Sequence, residues 1–230
     1  LLDKGCKSSY VDGFARVIKT FLRYLHQEGY VKKLVAIPMS IQSETELLSY
    51  DESQARKIVE ACKDARERAL VLFFLDTGIR NAELRALNWE DIDRKSGFVR
   101  IKNGKGRKSR NVLISHKTML ALLKYGRNVN QGDEFPVFQT VNGTRFSASG
   151  LRSLFTRLKK RAEIHITPHA LRRTFATLAY KSGLDIYRLQ ALLGHASPVT
   201  TRDYICHIDD GLAEAHRNHS PVDMVLKGGK

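Results

Sequence analysis

The chain has 230 residues, 42% of them hydrophobic, with 39 Lys and Arg against 24 Asp and Glu and a formal net charge of +15. This length allows one sizeable domain or two small ones, each with a hydrophobic core. No apolar run approaches the ~20 residues of a membrane span, and the beginning does not resemble a signal peptide. The three cysteines, Cys6, Cys62 and Cys206, lack metal-binding or redox spacing, so reduced thiols and a cytoplasmic protein are expected.

The positive charge is concentrated in one segment. Residues 101–200 carry 18 basic and 4 acidic side chains, whereas residues 51–100 carry 10 of each. Such a concentration is typical of a surface that binds a polyanion, and nucleic acid is the expected partner. The alternative is a basic protein whose charges are merely solvated. An anionic membrane is disfavoured because the sequence contains no strongly basic amphipathic helix with a Trp- and Phe-rich face.

The first predicted element is an amphipathic helix over residues 9–29. Val11, Phe14 and Ile18 begin an apolar stripe, and Gly29 closes the helix. One helix cannot bury its own stripe, so it should pack on other elements. The chain begins at Leu1 rather than Met, so a fragment or a processed form is expected. The basic residues on another face either contact DNA or are solvated: Arg16, Lys19 and Arg23.

A linker is predicted over residues 31–48, which contain Pro38 and a cluster of polar residues. Beyond it, Ser49 is the expected N-cap of the next helix, with Glu52 completing a capping box. Two or three helices should follow up to about Leu87. The sequence over 97–115 alternates around Asn103-Gly104, which predicts a β-hairpin.

The rest of the chain is predicted to be helical apart from one loop. The loop runs between Arg127 and Thr144, and PVFQT is its one candidate strand. The expected fold class is therefore mainly α with a small antiparallel sheet, an α+β architecture. The helices after the hairpin are predicted over residues 116–125, 147–163, 168–183, 185–193 and 198–206.

Arg80 in TGIRNAEL lies at a predicted junction between two helices. Gly78 should end the preceding helix, and Asn81 could cap the next one. A guanidinium held at such a junction usually has an anionic partner, and its planar fork matches phosphate oxygens. The simpler alternative is an ion pair with Glu83 or Asp76.

TPHALRRTFATLAY predicts a helix with Thr167 as N-cap and Pro168 as its first residue. His169 and Arg172 are three residues apart, so they share a face near the positive end of this helix. A capping histidine beside a surface arginine is the alternative. Helical geometry favours Arg172 over the adjacent Arg173 as the partner of His169.

A possible nucleophile comes from the stretch HASPVTTRDY. Gly194 ends a helix, His195 follows it, and a new helix begins at Pro198 and leads to Tyr204. A tyrosine with the ordinary pKa of ~10 is almost entirely protonated at neutral pH, so nucleophilic attack needs a neighbouring base or cations that stabilise the phenolate. Lys105, in the glycine-flanked hairpin turn, could carry a transferable proton. Ordinary phosphate contact is the alternative for Lys105, and Lys108 competes for the same role.

Together these motifs resemble the tyrosine recombinases, the lambda-integrase and Xer-type site-specific DNA recombinases. The resemblance rests on Arg80, Lys105, His169-x-x-Arg172, Leu-Leu-Gly-His195 and Tyr204, in this order. It implies a catalytic domain over 49–206, preceded by the last helix of a core-binding domain (1–30) and the linker (31–48). A tail over 207–230 would dock on a neighbouring subunit. Four subunits would then bind two duplexes of double-stranded DNA, and the free protein could be a monomer.

The resemblance also implies the role of each residue. Arg80 and Arg172 would clamp the scissile phosphate, and His169 would accept the proton of Tyr204 as it attacks. Lys105 would protonate the leaving 5′ oxygen, His195 would hydrogen-bond the phosphate, and Glu83 would orient the His169 region. Neither metal, nucleotide nor other cofactor would be needed, because the phosphotyrosyl ester stores the phosphodiester energy. The expected DNA-contacting residues are Arg16, Lys19, Arg23, Arg107, Lys108, Arg110 and Arg173.

Four functions are compatible with these motifs. The first is a recombinase that integrates and excises a mobile element, because the His-Ser-Pro-Val-Asp tail resembles that of transposon-borne family members. The expected location is the cytoplasm of a prokaryote, in association with the nucleoid. The second is Xer-like resolution of chromosome or plasmid dimers. The third is a type IB topoisomerase-like nicking-closing enzyme, and the fourth is a non-catalytic DNA-binding protein on the same fold. The complete set of catalytic residue types argues against the fourth.

Overall fold

The structure, a computed structural model, describes residues 8–37, 48–102 and 109–194. The chain divides into two compact units, residues 1–46 and 47–230. In the described part of the chain, no helix is both long enough and apolar enough to cross a membrane.

The first unit contains helix α1 (Ser8–Gln27), which confirms the predicted amphipathic helix. Gly29 follows it with a positive φ of 78°. Phe14, Ile18 and Phe21 on the predicted apolar stripe are exposed by 46%, 48% and 58%. The basic residues Arg16, Lys19 and Arg23 are exposed as well.

The second unit begins with three helices, as predicted: α2 (Glu52–Glu60), α3 (Ala65–Thr77) and α4 (Asn81–Ala86). The expected N-cap of α2 at Ser49 is wrong, because Asp51 caps this helix. The Asp51 carboxylate accepts from the Gln54 N–H at 2.8 Å, and the Gln54 side chain accepts from the Asp51 N–H at 3.1 Å. The capping box thus uses a different pair, in which an aspartate replaces the serine.

Helix α3 forms the centre of this unit. Its sequence ALVLFF is apolar on all sides, as expected of a helix that has neighbours all round. Phe73 packs edge-on against Phe138 and Phe74 against Phe155, with ring centroids 5.6 and 5.8 Å apart.

The predicted hairpin is present as strands β1 (Phe98–Ile101) and β2 (Arg110–Leu113), and Asn103-Gly104 lies outside the described residues. The strands are antiparallel, with Val99 opposite Val112. The candidate strand PVFQT is wrong: within the described loop, Pro136 and Gln139 form only isolated bridges. Gln139 is buried, and its side-chain amide donates to backbone carbonyls of the loop, which lets an irregular segment lie in the interior.

In the described residues after the hairpin there are four further helices: α5 (His116–Gly126), α6 (Ala148–Ala162), α7 (Pro168–Lys181) and α8 (Ile186–Leu193). They match four of the predicted ranges, and the fifth, 198–206, lies outside the described residues. Thr167 caps α7 and Pro168 begins it, as predicted. Helix α8 packs on α7 through a small apolar cluster formed by Ala176, Leu189 and Leu193.

Gly78 lets α3 end against α7 and α8. Its φ of +56° is left-handed, and its N–H donates to Phe74 O at 3.0 Å. A Cβ here would meet the Phe175 ring and would lie 2.9 Å from Leu193 Cδ2. The glycine is therefore required both by the backbone conformation and by the approach of the two helices.

We expect Gly78→Ala to lower the free energy of unfolding by more than the roughly 1–2 kcal/mol that a left-handed alanine costs, because the new methyl group also overpacks the helix junction. Gly183→Ala is the matched control, since Gly183 has a φ of +96° but open space around its Cβ position. Denaturant unfolding of both variants tests this. Equal losses at the two positions would contradict the packing argument.

Candidate active site

The candidate site lies where α3, α4, β2, α7 and α8 meet. Arg80 occupies the N-cap position of α4, and the predicted cap Asn81 is instead the first residue of that helix. The Arg80 side chain does not cap the helix. Glu83 satisfies a backbone group at this helix start instead, because its Oε2 accepts from the Arg80 backbone N–H at 2.9 Å. Its Oε1 accepts from Arg80 Nη1, also at 2.9 Å. Of the partners weighed for Arg80, the structure thus shows the ion pair with Glu83.

The same carboxylate binds a second arginine. Arg110 Nη1 donates to Glu83 Oε1 at 2.9 Å and Arg110 Nη2 donates to Oε2 at 2.8 Å, a bidentate pair. The side chains of Arg110 and Glu83 are only 9% and 10% exposed. Glu83 was expected to orient the His169 region, but its hydrogen bonds in the structure go to Arg80 and Arg110.

Three arginines converge on the last carbonyl groups of α8. Arg110 Nε donates to Leu192 O at 2.8 Å, Arg172 Nη2 to Leu193 O at 2.7 Å, and Arg80 Nη2 to Gly194 O at 3.0 Å. These oxygens are the unsatisfied negative pole of the helix, where cations are stabilised. The end of α8 therefore fixes guanidinium groups that come from three distant parts of the chain.

Arg172 is buried, with 1% of its surface exposed, so the alternative of a surface arginine is wrong. Its Nη1 donates to Gly78 O and its Nη2 to Leu193 O, so it joins the ends of α3 and α8. Arg80 differs from it, because 31% of the Arg80 side chain is exposed. Arg173, the adjacent candidate, is half-buried.

The side chain of His169 is exposed beside this positive charge, although the protein desolvates part of it. Burial lowers the pKa of His169 below its ordinary value of 6.5, and the charges of Arg173, Arg172 and Arg80 lower it further. The imidazole is therefore neutral at neutral pH and able to accept a proton. The structure thus brings Arg80, His169 and Arg172 together, three residues that the sequence assigned to one site.

Glu83 remains ionised in these surroundings. Burial alone would raise the pKa of Glu83, but hydrogen bonds from Arg110 and from Arg80, together with the Arg110 charge, lower it to about 2. Two guanidinium groups thus bind one carboxylate, and the guanidinium of Arg172 binds the same end of α8. This excess of positive charge is what a site for a phosphate diester requires. Among the residues that the structure describes, no group of three or more His, Cys, Asp or Glu could hold a metal ion.

Five predicted site residues fall outside the part of the chain that the structure describes: Lys105, Arg107, Lys108, His195 and Tyr204. Of the three cysteines, the structure describes only Cys62, which is a free and half-buried thiol. Burial raises the pKa of Cys62 to about 12.

Arg110 was predicted to contact DNA, but the structure turns it inward. Its three guanidinium nitrogens all donate within the protein. The sequence does carry a signal for this placement, since Arg110 lies two residues before the buried Val112 and so on the inner face of strand β2.

Comparison with known proteins identifies close relatives. Residues 49–210 match the model of the phage integrase family. Tyrosine recombinase XerC of Thermodesulfovibrio yellowstonii is 33% identical over 225 residues, covering 90% of this chain and 73% of that protein. Tyrosine recombinase XerA of Saccharolobus solfataricus is 32% identical over 209 residues, covering 91% and 67%.

Solved structures have the same architecture. A crystal structure of XerA recombinase matches with a TM-score of 0.67 and 29% identity, covering 95% of this chain and 79% of that one. The Tn1549 transposon integrase, in complex with a circular intermediate DNA, matches with a TM-score of 0.80 and covers 94% and 81%. Its identity is 20%, so this second match concerns the fold alone.

The lowered pKa of Glu83 predicts a pH-dependent contribution to stability. We expect Glu83→Gln to be less stable than the native chain at neutral pH and the difference to shrink as the pH falls from 4.5, the ordinary value, towards about 2. The sign follows because the unfolded state protonates first, so the native chain loses this contribution on acidification. Denaturant unfolding between pH 2 and 7 measures it, with the exposed Glu134→Gln as control. A difference that stays constant across that range would refute the assignment.

Proposed function

Because the chain belongs to the phage integrase family of tyrosine recombinases, we propose that it cleaves and rejoins DNA at specific sites, with Tyr204 as the nucleophile and a 3′-phosphotyrosyl intermediate. The observation that carries this proposal is the arrangement of Arg80 and Arg172 at the end of α8 beside His169. His195 follows this end directly in the sequence, and Tyr204 comes nine residues later.

The chemistry begins with the scissile phosphate between Arg80 and Arg172. Both guanidinium groups neutralise its non-bridging oxygens, whose charge grows in the pentacoordinate transition state. Since Arg80 is 31% exposed, a phosphate can approach it from solvent. The carbonyl groups of α8 and Glu83 hold the arginines before DNA arrives, so little reorganisation is needed at the moment of reaction.

The proton transfers complete the cleavage step. The Tyr204 hydroxyl oxygen forms a bond to phosphorus while its proton passes to neutral His169, and the bond from phosphorus to the 5′ oxygen breaks. Lys105 protonates this leaving oxygen, and His195 donates a hydrogen bond to the phosphate. A free 5′ hydroxyl from a partner duplex then attacks the phosphotyrosine, which reverses the step and joins new strands.

The other parts of the chain are assigned to binding and assembly. Residues 1–30 contribute the last helix of a core-binding domain, 31–48 the linker and 49–206 the catalytic domain. The tail over 207–230 docks on a neighbouring subunit, so that four subunits hold two duplexes. The basic residues that contact the DNA backbone are Arg16, Lys19, Arg23, Arg107, Lys108 and Arg173.

For the biological event, the relatives at 32% and 33% identity are Xer recombinases, which favours resolution of circular DNA dimers. Integration and excision of a mobile element is the second candidate, favoured by the His-Ser-Pro-Val-Asp tail. A plasmid with two directly repeated sites separates them. The first role requires resolution into two circles, whereas the second also requires joining of a circular element to an unrelated target.

We expect a nicked cognate site to trap a protein–DNA adduct that resists SDS, because the short strand beyond the nick diffuses away and cannot reverse the cleavage. Tyr204→Phe should abolish this adduct without weakening DNA binding. Tyr187→Phe, in a tyrosine that is 74% exposed on α8, is the control and should form adduct normally. Adduct in the Tyr204→Phe variant would refute the nucleophile assignment.

Two further outcomes separate the competing functions. DNA binding without adduct in the native chain would support a non-catalytic DNA-binding protein. Adduct formation with relaxation of supercoiled plasmid by a monomer, and without a synaptic complex, would support a type IB topoisomerase-like enzyme.

The neutral imidazole of His169 predicts the acid limb of the cleavage rate. We expect the rate to fall on acidification only below pH 6.5, because the pKa of His169 is lowered and only the neutral ring accepts a proton. Arg173→Gln should move this limb upward, since the charge of Arg173 helps to lower that pKa. Arg188→Gln, whose side chain is 80% exposed on α8, should leave it in place. A limb above pH 6.5 in the native chain would contradict His169 as the base.

A further inference from the structure

We propose that Arg110 is a positioning residue for the reaction: it takes up the charge of Glu83, so that the charge of Arg80 remains available to the phosphate. This inference rests on the proposed function, because it assigns Arg80 to the phosphate. Arg110 would act through Glu83 and the end of α8 without touching the DNA.

The hydrogen bonds show how the carboxylate is shared. Each oxygen of Glu83 accepts one bond from the Arg110 guanidinium, at 2.9 and 2.8 Å. Arg80 approaches the same oxygens with one side-chain nitrogen and its backbone N–H, both at 2.9 Å. The Arg110 side chain therefore forms the bidentate pair, whereas the Arg80 guanidinium has a single bond to Glu83 and one to Gly194 O.

The charges make this division consequential. With Arg110 present, two guanidinium groups share one carboxylate and a net positive charge remains. Without Arg110, Glu83 would pair one to one with Arg80 and neutralise it. Since the Arg110 and Glu83 side chains are 9% and 10% exposed, solvent screens this exchange only weakly. An approaching phosphate would then have to compete with a fully available carboxylate for Arg80.

Packing fixes Arg110 in this position. Gly194 has a φ of +62°, and a Cβ there would lie 2.9 Å from Arg110 Cδ and 3.0 Å from Arg110 Nη1. The backbone at the end of α8 thus lies directly against the arginine. Its Nε meanwhile donates to Leu192 O at 2.8 Å, two residues before that glycine. Lysine cannot reproduce this arrangement, because one ammonium group cannot span both carboxylate oxygens and the carbonyl.

The test compares four chains on the nicked site under single-turnover conditions and saturating DNA: native, Arg110→Gln, Arg110→Lys and Arg110→Gln/Glu83→Gln. We expect Arg110→Gln to lower the cleavage rate constant by about 100-fold, the lower range for loss of one charge-stabilising donor, with little change in DNA affinity. Arg110→Lys should not restore the rate. The double variant should recover about tenfold, because removing the carboxylate charge releases Arg80.

The recovery in the double variant distinguishes positioning from a purely structural role. If Arg110 only stabilises the fold, the double variant will cleave no faster than Arg110→Gln, and the rates will follow the folded fractions measured by denaturant unfolding. That result would overturn the inference. Arg188→Gln is the matched control and should cleave at the native rate, since its exposed guanidinium pairs only with Asp185 among the described ion pairs.

A second measurement does not depend on cleavage. We expect inorganic phosphate to raise the unfolding temperature of the native chain more than that of Arg80→Gln, which serves as the reference for non-specific anion binding. Arg110→Gln should lose this difference and the double variant should regain it. A native chain that forms no adduct would refute the proposed function, whereas Arg110→Gln binding phosphate like the native chain would refute the role of Arg110.

Discussion

The carbonyl groups at the end of α8 are the fixed point around which the site is built. Leu192, Leu193 and Gly194 each accept a hydrogen bond from a different arginine, and those arginines come from β2, α7 and the α3–α4 junction. The last carbonyl groups of a helix have no hydrogen-bond donors inside the helix. Guanidinium groups donate to these oxygens, and the negative end of the helix dipole stabilises their positive charge. One feature therefore stabilises the helix end and positions the arginines that the proposed chemistry uses.

Glu83 sets the electrostatic balance among these cations. A single ionised carboxylate holds two of the arginines in place, yet it is too little charge to neutralise the cluster. Desolvation and then the surrounding positive charge lower the pKa of His169, so the imidazole is neutral, and the same surplus charge favours binding of an anion. In the proposed mechanism, the positions of the arginines, proton acceptance by His169 and phosphate recognition thus depend on the same few contacts. We propose on this basis that a residue on the inner face of a hairpin strand influences the proposed phosphate clamp.

Local sequence rules predicted most of the elements and failed where a tertiary partner changed the local preference. The periodicity of apolar residues indicated the helices, and alternation indicated β1 and β2. Asp51 caps α2 in place of Ser49. The Tyr50 N–H between them donates to the Thr174 hydroxyl on α7 at 2.8 Å, and this tertiary contact determines where the chain enters the helix. PVFQT has the composition of a strand, yet the described loop offers it isolated bridges instead of a partner strand.

The family, the mainly helical fold and the chemical type of each site residue follow from the sequence alone, because motif order and helical spacing are properties of the chain. Tertiary contacts determine which groups bind the same hydrogen-bond acceptor and which charged groups form ion pairs. That Arg172 is buried, that Glu83 binds Arg80 and Arg110, and that Arg110 faces inward depends on helices distant in sequence meeting at the end of α8. Hydrogen bonds and ion pairs act over a few ångströms, so only the folded arrangement could assign these partners.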